Sequence, residues 1–251
     1  LEELYEKLQG VMIRRRKEEV LTELPPKQRA VIPVALSNER EYRRVEKDFI
    51  GWVTEKKGKL AAVKASNAEA LSQISALRFM AAKGALKGAI EWIKDFLNDT
   101  SHKLVVFAVH KEIISALMDE FGTDIAVKID GSVSAQKRSE IVDRFQNDPS
   151  VRLFVGNIKA AGVGITLTAS HNVVFLELPW TPGLLDQAED RCNRIGQKNA
   201  VNIWYLLPRD TIEERLAEMI DEKRKVITAV LDGEDVPEGS MLTAMLNSYA
   251  E

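Results

Sequence analysis

The sequence predicts an α/β fold: a parallel sheet covered by helices on both faces. Three observations carry that reading. Short runs such as Leu104-Val105-Val106-Phe107-Ala108-Val109 are apolar throughout instead of alternating, as in strands buried on both sides. Stretches with helical apolar spacing separate these runs, the order expected of a parallel sheet built from crossovers. The chain has 251 residues, 45% of them apolar, enough for one large domain with a sizeable core.

Each element follows in turn. Leu4, Leu8, Val11 and Met12 have helical spacing, and Pro25-Pro26 stop that helix after Leu21. Val31–Leu36 reads as a short strand. Asn38 with Glu41 has the pattern of a capping box, opening a helix through Val53 with few apolar residues. Lys56–Asn67 is polar and lysine-rich and is expected to project or bend. Leu71, Ile74 and Leu77 start a second helix, and Leu86–Leu97 a third. The buried strand ending at Val109 is followed by a helix through Phe121. Strand Ile125–Ile129 leads to a helix through Phe145. Strands Val151–Val155, Asn172–Leu176 and Val201–Leu207 complete the sheet. Thr211 with Glu214 marks a second capping box before a long helix, which Gly233 ends. Glu234–Ser240 is a polar linker. Leu242, Met245 and Leu246 suggest a short helix, a partner-binding tail or, most simply, a fraying terminus.

Composition removes several function classes. The net charge of −3 leaves any basic surface local, as in Arg14-Arg15-Arg16-Lys17. The single cysteine, Cys192, allows no internal disulfide, and three scattered histidines lack metal-ligand spacing. No apolar run reaches the length that spans a bilayer. The chain begins without Met, which suggests a piece of a longer intracellular protein: cytoplasmic or nucleoid-bound in a prokaryote or virus, nuclear in a eukaryote.

The most informative stretch is Gln187-Ala188-Glu189-Asp190-Arg191-Cys192-Asn193-Arg194-Ile195-Gly196-Gln197. At about 100° per residue, a helix puts Gln187, Arg191 and Arg194 on one face. Two guanidiniums side by side suit phosphate oxygens, because each is a fork of donors that keeps its charge. Glu189 and Asp190 fall elsewhere on the wheel, so that face expects an anion from outside.

Ligands of such sheets bind at the carboxyl ends of the strands. After the strand ending at Val155, Gly162 and Gly164 permit close backbone approach to phosphate, and Lys159 adds charge; taken alone, the glycines are more simply a tight turn. Asp130-Gly131-Ser132 precedes a helix starting near Ser134, either holding a phosphate or simply capping. His110 and Lys111 stand at another strand mouth. Trp180, on a loop stiffened by Pro179 and Pro182, either inserts against nucleic acid or plugs the sheet. No Gly-x-x-x-x-Gly-Lys-Ser/Thr occurs, and no Asp-Glu pair ends a buried strand. An arginine pair without a nucleotide cradle fits a site completed in trans.

These residues resemble the second RecA-like lobe of Snf2-family ATPases, in helicase superfamily 2. Arg14–Lys17 through Leu24-Pro25-Pro26-Lys27 resembles the segment leading into that lobe. Val105-Val106-Phe107 with His110-Lys111 resembles motif IV, Ile129–Ser132 the next motif, Ala160–Leu167 motif V, and Gln187–Gln197 motif VI. Asn193 departs from the His, and Thr166 from the Asn, of many relatives. Phe107–Lys111 with Glu177-Leu178-Pro179-Trp180 looks nearest to the annealing-helicase branch, which remodels forks.

The resemblance implies a lead-in segment (1–36), a helical protrusion with packing helices (37–100), the RecA-like core (101–208), a brace helix (209–233) and a tail (234–251). Arg191 and Arg194 would be arginine fingers on ATP, Gln187 would couple nucleotide state to lobe closure, and Gly162 and Gly164 would lie at the nucleotide. ATP and Mg2+ would be held mainly by a first lobe outside this chain. His110, Lys111, Gly131, Ser132, Lys159 and Trp180 would meet double-stranded or forked DNA. The expected assembly is a monomer off the membrane, and the chain alone is expected to be inactive. Two alternatives stand: a non-catalytic RecA-like binding module, and a motor acting on RNA polymerase or other protein–DNA complexes.

Overall fold

A computed structural model describes residues 17–56, 64–162, 164–232 and 241–249. Most of the first predicted helix, part of the 56–67 segment, Val163 and the 233–240 linker lie outside the described residues.

Six parallel strands form one sheet: β1 (Lys27–Val34), β2 (Leu104–Ala108), β3 (Ala126–Ile129), β4 (Leu153–Asn157), β5 (Asn172–Phe175) and β6 (Val201–Pro208). Their order is β1-β6-β5-β2-β4-β3. Beyond one described helical turn, α1 (Lys17–Val20), the helices are α2 (Glu39–Lys56), α3 (Lys64–Asp99), α4 (Lys111–Ile125), α5 (Ala135–Asn147), α6 (Ile158–Ala161), α7 (Pro182–Glu189), α8 (Ile212–Asp232) and α9 (Met241–Ser248).

The apolar strands are buried on both faces, as their composition predicts. Val105, Phe107, Val173, Phe175 and Tyr205 feed one core; Leu104, Val106, Val155 and Val174 feed the other. Period-two alternation sorts the side chains between faces. Fully burying such a residue contributes about 1.5–3 kcal/mol, so the central strands anchor the fold. Chain order reverses around β2, with β4 and β3 on one side and β5, β6 and β1 on the other. Such a reversal opens a crevice at the carboxyl ends of the strands.

Several expectations need correction. The first strand begins at Lys27, earlier than the apolar run suggested, because β1 pairs along its whole length with β6. The helices predicted at 71–77 and 86–97 are one helix, α3. Gly84 does not break it. A Cβ there would lie 1.9 Å from Asn38 Oδ1, so the glycine serves close approach to the chain after β1. Asn38 makes no capping box: its Oδ1 accepts no hydrogen bond among the described residues, while its amide nitrogen donates to Met80 O at 3.0 Å. The box at Thr211 is also displaced: its hydroxyl donates to Pro208 O, while Glu214 accepts from the Asp210 amide. The tail does not fray at 241–249. Met245, Leu246 and Tyr249 are buried, and the Arg215 guanidinium lies 4.2 Å from the Tyr249 ring centre. No helix among the described residues is long and apolar enough to cross a membrane.

Candidate functional site

The arginine stretch is a short helix followed by turns, not one helix. Pro182 sits in the first turn of α7, where its missing amide costs nothing. The helix ends at Glu189, and Arg191 and Arg194 stand on the turns up to Gly196, whose φ is +100°. The shared helical face of Gln187, Arg191 and Arg194 therefore does not exist.

The guanidiniums meet by another route. Arg191 Nε donates to the Gln187 carbonyl at 2.9 Å, and its Nη1 to Ile165 O at 3.2 Å. Arg194 Nη1 reaches the same Ile165 oxygen at 3.4 Å. One loop carbonyl thus gathers both cations, although Gln187 itself is exposed. Among the described residues, no carboxylate forms an ion pair with either arginine. Burial, and then the charge of Arg194, pull the pKa of Arg191 down, with Asp190 opposing. Like charges held together and partly desolvated gain most from an incoming anion.

The glycine loop is stitched to this turn, since the Leu167 amide donates to Arg191 O at 2.8 Å. Asn157 opens the loop: its side chain accepts from the amides of Lys159 and Ala160 and donates to Val109 O at 2.7 Å. Those two amides are consequently taken and do not offer themselves to phosphate. A Cβ at Gly162 would lie 2.2 Å from Ile158 O, and Gly164 has φ +76°. Both glycines therefore meet a local backbone demand.

The loops after β2, β4 and β5 converge on a cleft of about 300 Å³. Val109, His110, Asn157, Lys159 and Trp180 line it, with Arg78 from α3. Leu184 of α7 also lines it, so α7 runs from the cleft to the arginine turn. His110 is only partly available: its Nδ1 pairs with Glu177, a fully buried carboxylate that also accepts the Val109 and His110 amides. The Glu177 bond raises the His110 pKa, with burial opposing. Burial would raise Glu177, but His110 and the two amides hold it below its usual range. Lys111, at the start of α4, and Lys159 are exposed.

Trp180 is half-buried. It packs against the core, and the Arg78 guanidinium lies 5.4 Å from its ring centre. Gly131 and Ser132 follow β3 at the far edge of the sheet. Asp130 accepts from both the amide and the hydroxyl of Ser132, so that hydroxyl is engaged internally. Ser134 caps α5, as its position suggests.

Sequence reasoning missed Glu177, Arg78, Glu213 and Glu189. Arg78 Nη2 donates to Leu178 O and Nε to Glu213, while Glu213 accepts from the Leu178 amide. Both are buried, and both hold the peptide that leads to Trp180. A lone carboxylate ending a buried strand (Glu177) was the available signal. The other three depend on partners far away in sequence.

Residues 88–196 match the helicase conserved C-terminal domain. The DNA annealing helicase and endonuclease ZRANB3 of Homo sapiens is 38% identical over 93% of this chain. The chain belongs to the Snf2 family. It is that family's C-terminal RecA-like lobe, near the annealing-helicase branch. The SWI/SNF-related matrix-associated actin-dependent regulator of chromatin subfamily A-like protein 1 of Xenopus tropicalis is 36% identical over 87% of the chain. The lobe spans only 21% and 23% of those two relatives. Among solved structures, the C-terminal part of the Fun30 ATPase domain superposes with a TM-score of 0.68 at 19% identity, over 90% of this chain and 97% of that one. The Sulfolobus solfataricus SWI2/SNF2 ATPase core in complex with dsDNA gives 0.61 at 24%, over 90% and 50%. These two likenesses establish the RecA-like fold. The departure at Asn193 has a structural use here, because its side chain donates to Pro25 O at 2.9 Å.

Proposed function

We propose that this lobe is the second half of an ATP-driven double-stranded-DNA translocase, and that Arg191 and Arg194 act on a nucleotide held by another lobe. The observation that carries the reading is the guanidinium pair gathered on Ile165 O without a carboxylate partner among the described residues. The nucleotide supplies, when bound, a terminal phosphoryl group whose transfer spreads charge over its oxygens. Arg191 and Arg194 would meet that charge, and their grip would tighten as it develops. Any Mg2+ would travel with the nucleotide and be held mainly by the other lobe.

Lys111, Lys159 and Trp180, around the cleft, would face the DNA backbone. The glycine loop supports coupling between the two functions, since it touches the cleft through Asn157 and Lys159 and the arginines through Ile165. Gln187 would act at the lobe interface. Relatives whose names describe a DNA annealing helicase and a chromatin regulator, and a neighbour solved with duplex DNA, favour this track.

The test is Arg194→Ala in the parent protein, assayed for DNA-stimulated ATP hydrolysis and duplex binding. Turnover should fall about 10³-fold or more, with duplex affinity retained. A non-catalytic binding module would show no turnover in the parent to lose, and turnover retained in the variant rejects the finger reading.

A further inference from the structure

Glu189 ends α7 two residues before Arg191, and its side chain is fully buried. A buried carboxylate persists as a charge only when well paired and hydrogen-bonded. This one is. Arg29 clasps it with two bonds, Nε to Oε1 at 3.1 Å and Nη2 to Oε2 at 2.6 Å. Lys27 Nζ donates to Oε2 at 3.1 Å, and the Tyr205 hydroxyl to Oε1 at 2.7 Å. Burial would raise its pKa, but the Arg29 and Lys27 contacts outweigh that and hold it low. Strands β1 and β6 therefore converge with α7 on one side chain, and Arg224 of α8 reaches Oε1 at 3.4 Å.

The backbone carries that anchor forward. The Glu189 carbonyl accepts the amides of Cys192 and Asn193, at 3.1 and 3.3 Å, so the anchored residue folds the turn that separates Arg191 from Arg194. The segment before the sheet grips the same turn. Lys17 Nζ lies 3.1 Å from Asp190 and also donates to Asn193 O, while Asn193 holds Pro25 O. Lys27 Nζ stands 2.6 Å from Asp190 Oδ1, a charge contact outside hydrogen-bonding alignment.

We propose that Glu189 is the positioning residue of the arginine turn, and that Lys17–Arg29 sets through it where Arg191 and Arg194 stand. This rests on the reading of those arginines as phosphate-facing. The segment is then part of the motor: a pull on it is transmitted to the fingers through Arg29 and Glu189. Glu189 touches no reacting atom.

The experiment uses Glu189→Asp and Arg29→Lys in the parent protein, with Arg194→Ala alongside. Aspartate keeps the charge but is one methylene shorter; lysine keeps the charge but loses the fork. A misplacement of about 1 Å can cost about 100-fold in rate, so each variant should lower kcat by about 10- to 100-fold. KM for ATP and Kd for duplex DNA should stay within about twofold, the pattern of an interaction realised only in the transition state. Since both changes break one link, the double variant should fall no further than the weaker single. Should one variant fail to fold, the other still decides, because Arg29 is partly exposed and tolerates change differently from buried Glu189. A kcat within about twofold of the parent in a folded variant, beside an inactive Arg194→Ala, overturns the positioning role alone. Turnover surviving in Arg194→Ala overturns the finger reading and this inference with it.

Discussion

Replacing Arg78 by Met tests how the Trp180 loop is held. Arg78 and Glu213 are 3% and 0% exposed, so the pair is desolvated. The substitution removes the Glu213 ion pair, the bond to Leu178 O and the contact with the Trp180 ring. Among the described residues, it leaves buried Glu213 with the Leu178 amide as its one hydrogen-bond donor. Breaking a buried pair from one side costs about 3–5 kcal/mol, because the remaining charge is uncompensated. At about 2–4 °C per kcal/mol for a domain of this size, the melting midpoint should fall by about 6–20 °C. The double variant Arg78→Met/Glu213→Gln removes the stranded charge and should recover part of the loss. A sign follows for pH. Burial already raises the Glu213 pKa and Arg78 opposes it, so removing Arg78 raises it further. The variant's deficit should therefore shrink as the pH falls and Glu213 takes up a proton. Urea denaturation of parent and variants at pH 7.5 and about pH 5 measures both effects. A deficit under about 1 kcal/mol, or one that grows on acidification, refutes the reasoning.

Gly84→Ala should destabilise by about 1–3 kcal/mol, because its Cβ would collide with Asn38, whereas Gly51→Ala, with nothing within 4 Å in α2, should stabilise by about 0.5–1 kcal/mol; paired thermal melts check the contrast. The His110–Glu177 pair carries a pH signature. His110 has a raised pKa, so its share of stability is complete below the ordinary value of 6.5 and fades as the pH rises through the raised one. Glu177 has a lowered pKa, so its share is present above 4.5 and is lost as the pH falls through the lowered one. The stability gap between parent and His110→Gln should be widest between those two ordinary values and should narrow in alkali; denaturation curves across that range would reveal a flat gap if the pair were inert.

The central strands were legible because burial on both faces leaves no polar alternation to misread. Strand ends and helix joins were not. The stripes at 71–77 and 86–97 read as two helices, but α3 runs through both, and Gly84 between them serves close approach of another segment. Gln187, Arg191 and Arg194 have helical spacing, yet α7 ends at Glu189 and the chain runs in turns from there to Gly196, whose φ is positive. The two arginines still meet, but on the Ile165 carbonyl and not through helical spacing. Glu189 was set aside as pointing elsewhere, which is where it points. That its partner Arg29 lies 160 positions away is a property of the β1–β6 pairing, and no local pattern encodes it.

The most direct measurement compares affinity for ADP with affinity for ADP–aluminium fluoride, a mimic of the transferring phosphoryl group, in the parent protein and its Arg191→Lys and Arg194→Lys variants. Lysine keeps the charge and removes the fork. Both variants should bind ADP as the parent does and lose about 100-fold or more in affinity for the mimic. Equal loss for both ligands, or no loss for either, would contradict the claim that this guanidinium pair meets charge that develops only in the transition state.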